Sequence, residues 1–187
     1  MRELTLTVIS SYVKLFRGRY SASMARSTDP QWLSPEEKEA WTGLVSLMLL
    51  LPGMLEAPLR EVDLTLFEYL TLSHLSEAPE RRIRMSELAF LANGSLSRLS
   101  NVVKRFEQRG WVTRSSDPED GRYTLAHLTD QGYRLVVDAA PIHMRAVRDL
   151  VLDPLSPTDL RALTRIADKL RVVHPNLGKT ARGGRRS

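Results

Sequence analysis

RRIRMSELAFLANGSLSRLSNVVKRFEQRGWVTRSSDPEDGRYTLAHLTDQG, residues 81–132, holds two short helix signals, a turn between them and a charged hairpin after them. Arg82-Ile83-Arg84 is short and extended, and Ser86 is placed to cap a brief helix from Glu87 to Ala92. Asn93-Gly94 is turn chemistry, because both residues tolerate a positive φ. Ser95 caps the next helix, where Leu99, Val102, Val103 and Phe106 recur at i, i+3, i+4, i+7 and form one buried stripe. That leaves Ser97, Arg98, Asn101, Lys104 and Arg105 outside, and Gly110 stops the helix. Trp111 to Ser115 and Tyr123 to Leu128 then alternate as strands around the polar turn Asp117-Pro118-Glu119-Asp120-Gly121.

Outward from this stretch the pattern is helical on both sides. Ser34-Pro35-Glu36-Glu37 is a helix start: a serine cap, a proline at the first helical position and two carboxylates at the positive end of the helix dipole. Trp41, Leu44, Val45, Met48 and Leu51 recur at helical spacing behind it, and Pro52-Gly53 is expected to kink or break the helix, with Pro58 disturbing the next turn. A second helix is expected from about Leu64 to Leu75, with Phe67, Leu70 and Leu75 inward and Pro79 ending the region. Thr129 caps a long helix through Tyr133, Val136, Val137, Ala140, His143 or Met144, and Val147, interrupted only by Pro141. Ser156-Pro157-Thr158-Asp159 opens a last helix carrying Leu160, Leu163, Ile166, Leu170 and Val173, closed by Pro175. The fold class is therefore mainly α with a small β-hairpin wing, a helix-turn-helix flanked by helices from both chain ends.

At 187 residues and 42% hydrophobic content, the chain can bury the core of one ordinary domain. It has no cysteine, which excludes disulfides, thiolate metal sites and cysteine redox switches. The longest apolar run, Leu44 to Leu55, is broken by Ser46, Pro52 and Gly53 and is shorter than the roughly 20 residues of a membrane span, so no membrane partner is expected. Lys14, Arg17 and Arg19 lie where a signal peptide is apolar or small, so the expected location is cytoplasmic. The net charge of +5 is spread unevenly. Residues 1–26 carry five basic and one acidic side chains, 27–80 two and ten, 81–122 nine and five, 123–170 six and six, and 171–187 five and none. Local basicity of this kind attracts a polyanion even where the whole chain is only mildly basic. Gly178 to Ser187, with Gly-Gly-Arg-Arg, reads as a disordered basic tail.

In a helix-turn-helix the second helix enters the major groove, and side chains near its N-terminal half reach base edges. Here that half offers Ser95, Ser97, Arg98 and Asn101 as hydrogen-bonding groups and Leu96 for a thymine methyl. Arg122, after Asp120-Gly121, is placed for insertion into a narrow minor groove of enhanced negative potential. Asp120 can hold a guanidinium in a fixed pose, either that of Arg114 or that of Arg122.

The combination of Met85-Ser86-Glu87-Leu88-Ala89, Leu99 to Gly110, Trp111-Val112-Thr113-Arg114, Asp117-Pro118-Glu119-Asp120-Gly121-Arg122 and Leu128-Thr129-Asp130-Gln131-Gly132 resembles the winged helix-turn-helix signature of the multiple-antibiotic-resistance regulator (MarR) family, over about residues 34–174. The resemblance implies a bacterial transcription regulator, commonly a repressor. Such a protein binds double-stranded DNA at a pseudo-palindromic operator on the nucleoid as a homodimer, joined through helices of both chain ends, with no cofactor and no enzymatic activity. The implied organisation is an N-terminal extension (1–33), an N-terminal dimerisation helix region (34–63), a winged helix-turn-helix DNA-binding domain (64–128), C-terminal dimerisation helices (129–174) and a basic disordered tail (175–187). Candidate DNA-binding residues are Ser95, Ser97, Arg98, Asn101, Lys104, Arg105, Arg114, Asp120 and Arg122. The resemblance also implies a crevice for a small aromatic or lipophilic effector, with Trp41, Val45, Met48, Phe67, Tyr69, His74 and Tyr133 as candidate lining. The same residue types at helical spacing also serve as packed core. Two features depart from the family: the Pro52-Gly53 interruption, and residues 1–26, which read as an added arm or as a stretch before an alternative start at Met24.

Other chemistries have little to stand on. His74, His127, His143 and His174 are scattered without metal-ligand spacing. There is no Gly-rich phosphate loop and no serine in a nucleophile elbow, and the carboxylates of residues 27–80 read as solvated helix faces. The competing reading is a winged helix used only for protein contacts, since fold does not fix function.

Overall fold

The computed structural model describes residues 32–173. The extension before Trp32, the closing Pro175 and the basic tail lie outside the described residues. The chain divides into two units, Met1–Leu51 and Pro52–Ser187.

Helix α1, Pro35–Leu59, opens on a reciprocal cap: the Ser34 hydroxyl accepts the Glu37 N–H (3.2 Å), and the Glu37 carboxylate accepts the Ser34 N–H (2.7 Å). It runs unbroken through Pro52-Gly53 and Pro58, where the sequence suggested an interruption. A proline deletes one N–H and crowds one carbonyl, and the hydrogen bonds of the flanking turns are enough to carry the helix past it. Because the helix is continuous, Pro35–Val62 is, among the described residues, long and apolar enough to cross a membrane by length and composition, with a mean hydropathy of 1.5 over its most apolar window, although the broken run Leu44 to Leu55 read as too short. In the first unit Leu47 (61%), Met48 (59%) and Leu49 (69%) stand exposed.

In the second unit the order is a 3₁₀ turn (Arg60–Val62), α2 (Leu66–Glu77), a 3₁₀ turn (Pro79–Arg81), β1 (Arg82–Arg84), α3 (Met85–Leu91), α4 (Leu96–Gln108), β2 (Val112–Ser116), β3 (Thr124–Leu128), α5 (Asp130–Val147), a π turn (Arg148–Leu152) and α6 (Pro157–Val173). The fold is mainly α, and its three strands form one antiparallel sheet in the order β1-β3-β2, with Arg84 opposite Leu125 and Ser116 opposite Thr124.

Helix α2 begins at Leu66 rather than Leu64 because Thr65 and Glu68 form a complete capping box. Its buried face is Tyr69, Thr71, Leu72 and Leu75, and the expected Phe67 and Leu70 are only half-buried. Thr71 is tolerated there because its hydroxyl donates to the Phe67 carbonyl at 2.7 Å. Ser86 is not a cap: α3 starts at Met85, two residues before the expected Glu87, and follows Arg84 with no side-chain cap. Asn93 takes the left-handed conformation (φ 52) in the α3–α4 turn, whereas Gly94 is needed for room, since a Cβ there would lie 2.8 Å from the Phe67 ring. The Leu99, Val102, Val103 and Phe106 stripe is buried as the spacing predicts. It joins Leu59, Leu72, Leu75, Leu88 and, from α5, Val136 and Ala139 in one buried core.

Gly110 (φ +71) ends α4, and the Trp111 N–H returns to the Phe106 carbonyl at 2.9 Å. The Thr129 hydroxyl accepts the Gly132 N–H (3.1 Å), capping α5, and donates to the Gly110 carbonyl (2.7 Å). One side chain thus ties the start of α5 to the turn that launches the hairpin.

Against α2, α5 packs His143 onto Tyr69, ring centroids 4.6 Å apart, with His143 Nδ1 buried and without a hydrogen-bond partner among the described residues. Burial holds the His143 imidazole below its ordinary value; burial also lowers His74, against an opposing pull from Glu77. A histidine kept neutral in the fold takes up its proton more readily when unfolded. Stability is therefore full above the unfolded value of about 6.5 and is lost as pH falls through it toward the lower folded value. Melting temperature is expected to drop between pH 7.5 and pH 5, and His143→Phe to flatten part of that slope. Identical slopes in wild type and variant would contradict this.

Candidate nucleic-acid interface

The interface is built on α4 and the β2–β3 wing. Ser95 orients the helix start by accepting the Arg98 N–H at 3.1 Å. Ser97, Arg98, Asn101, Lys104 and Arg105 are all exposed, because the opposite stripe is committed to the core. Two of these cations are engaged from α2. The Arg98 guanidinium lies 4.0 Å over the Phe67 ring, and Arg105 donates to Glu68 at 2.7 Å. Burial pushes the Glu68 carboxyl up, but the Thr65 N–H and Arg105 outweigh it and hold it below its ordinary range.

At the wing, the two arginines that competed for Asp120 are separated. Arg122 takes Asp120 in a forked pair, Nε at 2.9 Å and Nη2 at 2.6 Å, with the Arg122 N–H on the same carboxylate at 3.2 Å. Arg114 instead forks onto Glu107 of α4, at 3.0 and 2.6 Å. Each pairing raises the guanidinium and, at Asp120, lowers the carboxyl. The Arg122 side chain is 85% exposed, so the pair fixes its direction without hiding it.

A recess of about 250 Å³ lies between α4 and the wing, and Ser86, Leu96, Ser100, Arg114, Arg122 and Thr124 are among its lining. Hydroxyls and guanidinium groups around one opening can receive an anionic oxygen chain. Sequence reasoning missed Ser86, Ser100 and Thr124. Ser86 looked like a cap, and the other two come together with it only through the α3–α4 and α4–wing packing. A second recess, about 340 Å³, lies beside α4 on the α2 side and is lined by Thr65, Phe67, Arg98, Asn101 and Arg105 together with Glu56.

The candidate effector residues are distributed differently. Trp41 and Met48 are exposed and Val45 is half-buried, all in the first unit. In the second unit Phe67 lies under Arg98, Tyr69 is buried against His143, His74 is half-buried, and Tyr133 lies 3.7 Å beneath the Arg81 guanidinium.

A profile of the MarR family matches residues 64–124. The chain is 32% identical over 114 residues to the HTH-type transcriptional repressor Rv2887 of Mycobacterium tuberculosis, a match covering 61% of this chain and 80% of that protein. It is 31% identical over 118 residues to the uncharacterized HTH-type transcriptional regulator YdcH of Bacillus subtilis, covering 62% and 74%. Among solved structures it is similar to Sco3205, a MarR family transcriptional regulator from Streptomyces coelicolor crystallised in complex with DNA, with a TM-score of 0.73 at 38% identity over 82% of this chain and 95% of that one.

Proposed function

The chain belongs to the MarR family of winged-helix, DNA-binding transcription regulators, which are not enzymes, and from that membership we propose that it works as a homodimeric repressor on a pseudo-palindromic operator. The observation that carries the reading is the exposure of Arg98 and Asn101 on α4 and of Arg122 at the wing, with an arginine- and hydroxyl-lined recess between α4 and the wing. In this reading α4 enters the major groove, Arg122 the adjacent minor groove, and the phosphate chain between them passes Ser86, Ser100 and Thr124. Ser95, Ser97, Lys104, Arg105 and Arg114 act around these contacts on flanking phosphates, and Asp120 holds the wing arginine.

The homodimer is supported by apolar surface that stands open among the described residues. Trp41, Leu47 and Met48 on α1 and Leu163, Ile166 and Leu170 on α6 are 47 to 61% exposed. The proposed site of action is the cytoplasmic nucleoid. Release by a small aromatic or lipophilic effector is part of the proposal, with Trp41, Val45, Met48, Phe67, Tyr69, His74 and Tyr133 as candidate contacts.

One series of measurements tests the whole. In solution the particle mass is expected to be twice the 21.2 kDa of the chain. The DNA upstream of the protein's own gene should be protected over two half-sites about 34–36 Å apart, with affinity falling steeply between low and high salt. A monomer, or binding no tighter to that DNA than to random sequence, would reject the operator-bound dimer. Aromatic acids and lipophilic amphiphiles that change neither melting temperature nor operator affinity would remove the effector.

A further inference from the structure

Among the described residues, the wing arginine is held by its own tip. Arg122 forks onto Asp120, two residues away, and is otherwise exposed. Its position over DNA is therefore set by whatever fixes the tip to the body of the protein. The tip is closed at its neck by one backbone hydrogen bond, Asp117 N–H to the Tyr123 carbonyl at 3.0 Å, and inside it the Tyr123 N–H reaches the Asp120 carbonyl at 3.0 Å. Both neck residues are gripped from outside the hairpin by one side chain. Arg84, at the end of β1, donates Nε to Asp117 Oδ2 at 2.7 Å and lies 4.5 Å over the Tyr123 ring.

This grip spans the whole sheet. With the strands ordered β1-β3-β2, Arg84 starts on the far edge strand and crosses the end of β3 to meet Asp117, the residue after β2. Asp117 is 6% exposed, and its second oxygen accepts the Glu119 N–H at 2.9 Å, so the carboxylate is fully used in shaping the tip. A carboxylate so enclosed depends on its cation, since removing one partner leaves a charge without compensation. The Arg84 charge also extends to Asp120, which is kept ionised first by Arg122 and more weakly by Arg84.

We propose that Arg84 is a positioning residue for DNA binding: through Asp117 and Tyr123 it locks the neck of the wing and thereby aims Arg122, without itself being a DNA contact. This role rests on the DNA-binding function proposed for the chain. It also accounts for a basic residue placed just before α3, outside both the recognition helix and the wing.

The test is a double-mutant cycle on the operator, with a salt series and thermal melts. Arg122→Ala alone first checks the underlying reading; if it leaves affinity unchanged, the wing does not read DNA, and the role of Arg84 falls with it. Given a loss there, Arg84→Gln is expected to weaken binding about 5–10-fold in the wild-type background and by less than about twofold when Arg122 is already alanine. Arg84→Lys keeps the charge but loses the planar fork and the stacking on Tyr123, and is expected to behave like Arg84→Gln. It also stands in should Arg84→Gln fail to fold. Amide exchange at Gly121 and Arg122 should speed up in either variant. Additive losses in the Arg122→Ala background with a further drop in salt slope, or full affinity in Arg84→Lys, would mean that Arg84 touches phosphate directly and would overturn the positioning role.

Discussion

Gly132→Ala is expected to lower the melting temperature by roughly 5–15 °C, corresponding to a loss of about 2–4 kcal/mol in a domain of this size. A methyl group there would overlap the Trp111 carbonyl oxygen, lie 3.0 Å from the Trp111 carbonyl carbon and 2.7 Å from Leu128 Cδ1. Leu128 can turn, but the Trp111 backbone cannot. Its carbonyl accepts the Thr129 N–H at 3.0 Å and its N–H is bound to Phe106. Relieving the overlap means separating the first turn of α5 from the turn after α4, and with it the Thr129 bridge to Gly110. Alanine is favoured over glycine in a helix by about 1 kcal/mol, which is smaller than the cost of pushing a backbone carbonyl aside. Gly43, in α1, is the control. Among the described residues a Cβ there meets nothing within 4 Å, so Gly43→Ala should melt at or slightly above the wild type. Equal melting temperatures for wild type and Gly132→Ala would show that the start of α5 is not packed against the Trp111 backbone.

Arg98→Ala and Arg122→Ala are expected to weaken DNA binding in two distinguishable ways while leaving the protein folded and its melting temperature within about 4 °C of wild type. Arg98 stands exposed at the edge of the buried α4 stripe, on the side that faces α2. Its contact with Phe67 is an exposed cation–π pair, worth about 0.5–1 kcal/mol, and yields readily to a base contact worth about 1–3 kcal/mol. Losing Arg98 should therefore cost on the order of 1–3 kcal/mol at each half-site and relax preference at one defined base position. Arg122 meets a groove that carries mainly width and A·T-versus-G·C information. Its loss should weaken binding across many sequences and reduce the salt slope by about one counterion per wing. Titrations on operator and random DNA over a salt series, with melts alongside, separate the two. Unchanged affinity in both folded variants would reject this docking; loss of folding in either would mean that the wrong face of α4 has been placed outside.

Much of this molecule is written in contacts that span four residues or fewer. Ser34, Ser95 and Thr129 bond to backbone N–H groups three residues ahead, and Gly110 takes the positive φ that stops α4. Side-chain type and spacing suffice for such features, because no other part of the chain has to be in place. The same holds for the Leu99–Phe106 stripe, whose four apolar positions fall on one side of any helix. The family signature was legible for the same reason, being made of consecutive local devices.

What the sequence left open needed partners brought from far along the chain. Both faces of α2 meet other elements, so its own spacing did not separate the buried Tyr69 and Leu72 from the half-buried Phe67 and Leu70. Arg114 chose Glu107 over Asp120, and Arg105 found Glu68, 37 residues away, once α4 lay across the start of α2 and against β2. Arg84 and Asp117 are 33 residues apart, and they meet only because β3 inserts between β1 and β2. The continuity of α1 through Pro52 was likewise undecidable from residue type alone, since a proline can end a helix or merely cost it one hydrogen bond. Local chemistry thus marked the starts of α1, α4 and α5 and the stop at Gly110; only packing decided which charges face each other across the elements, because an ion pair forms where two backbones have already been brought within reach.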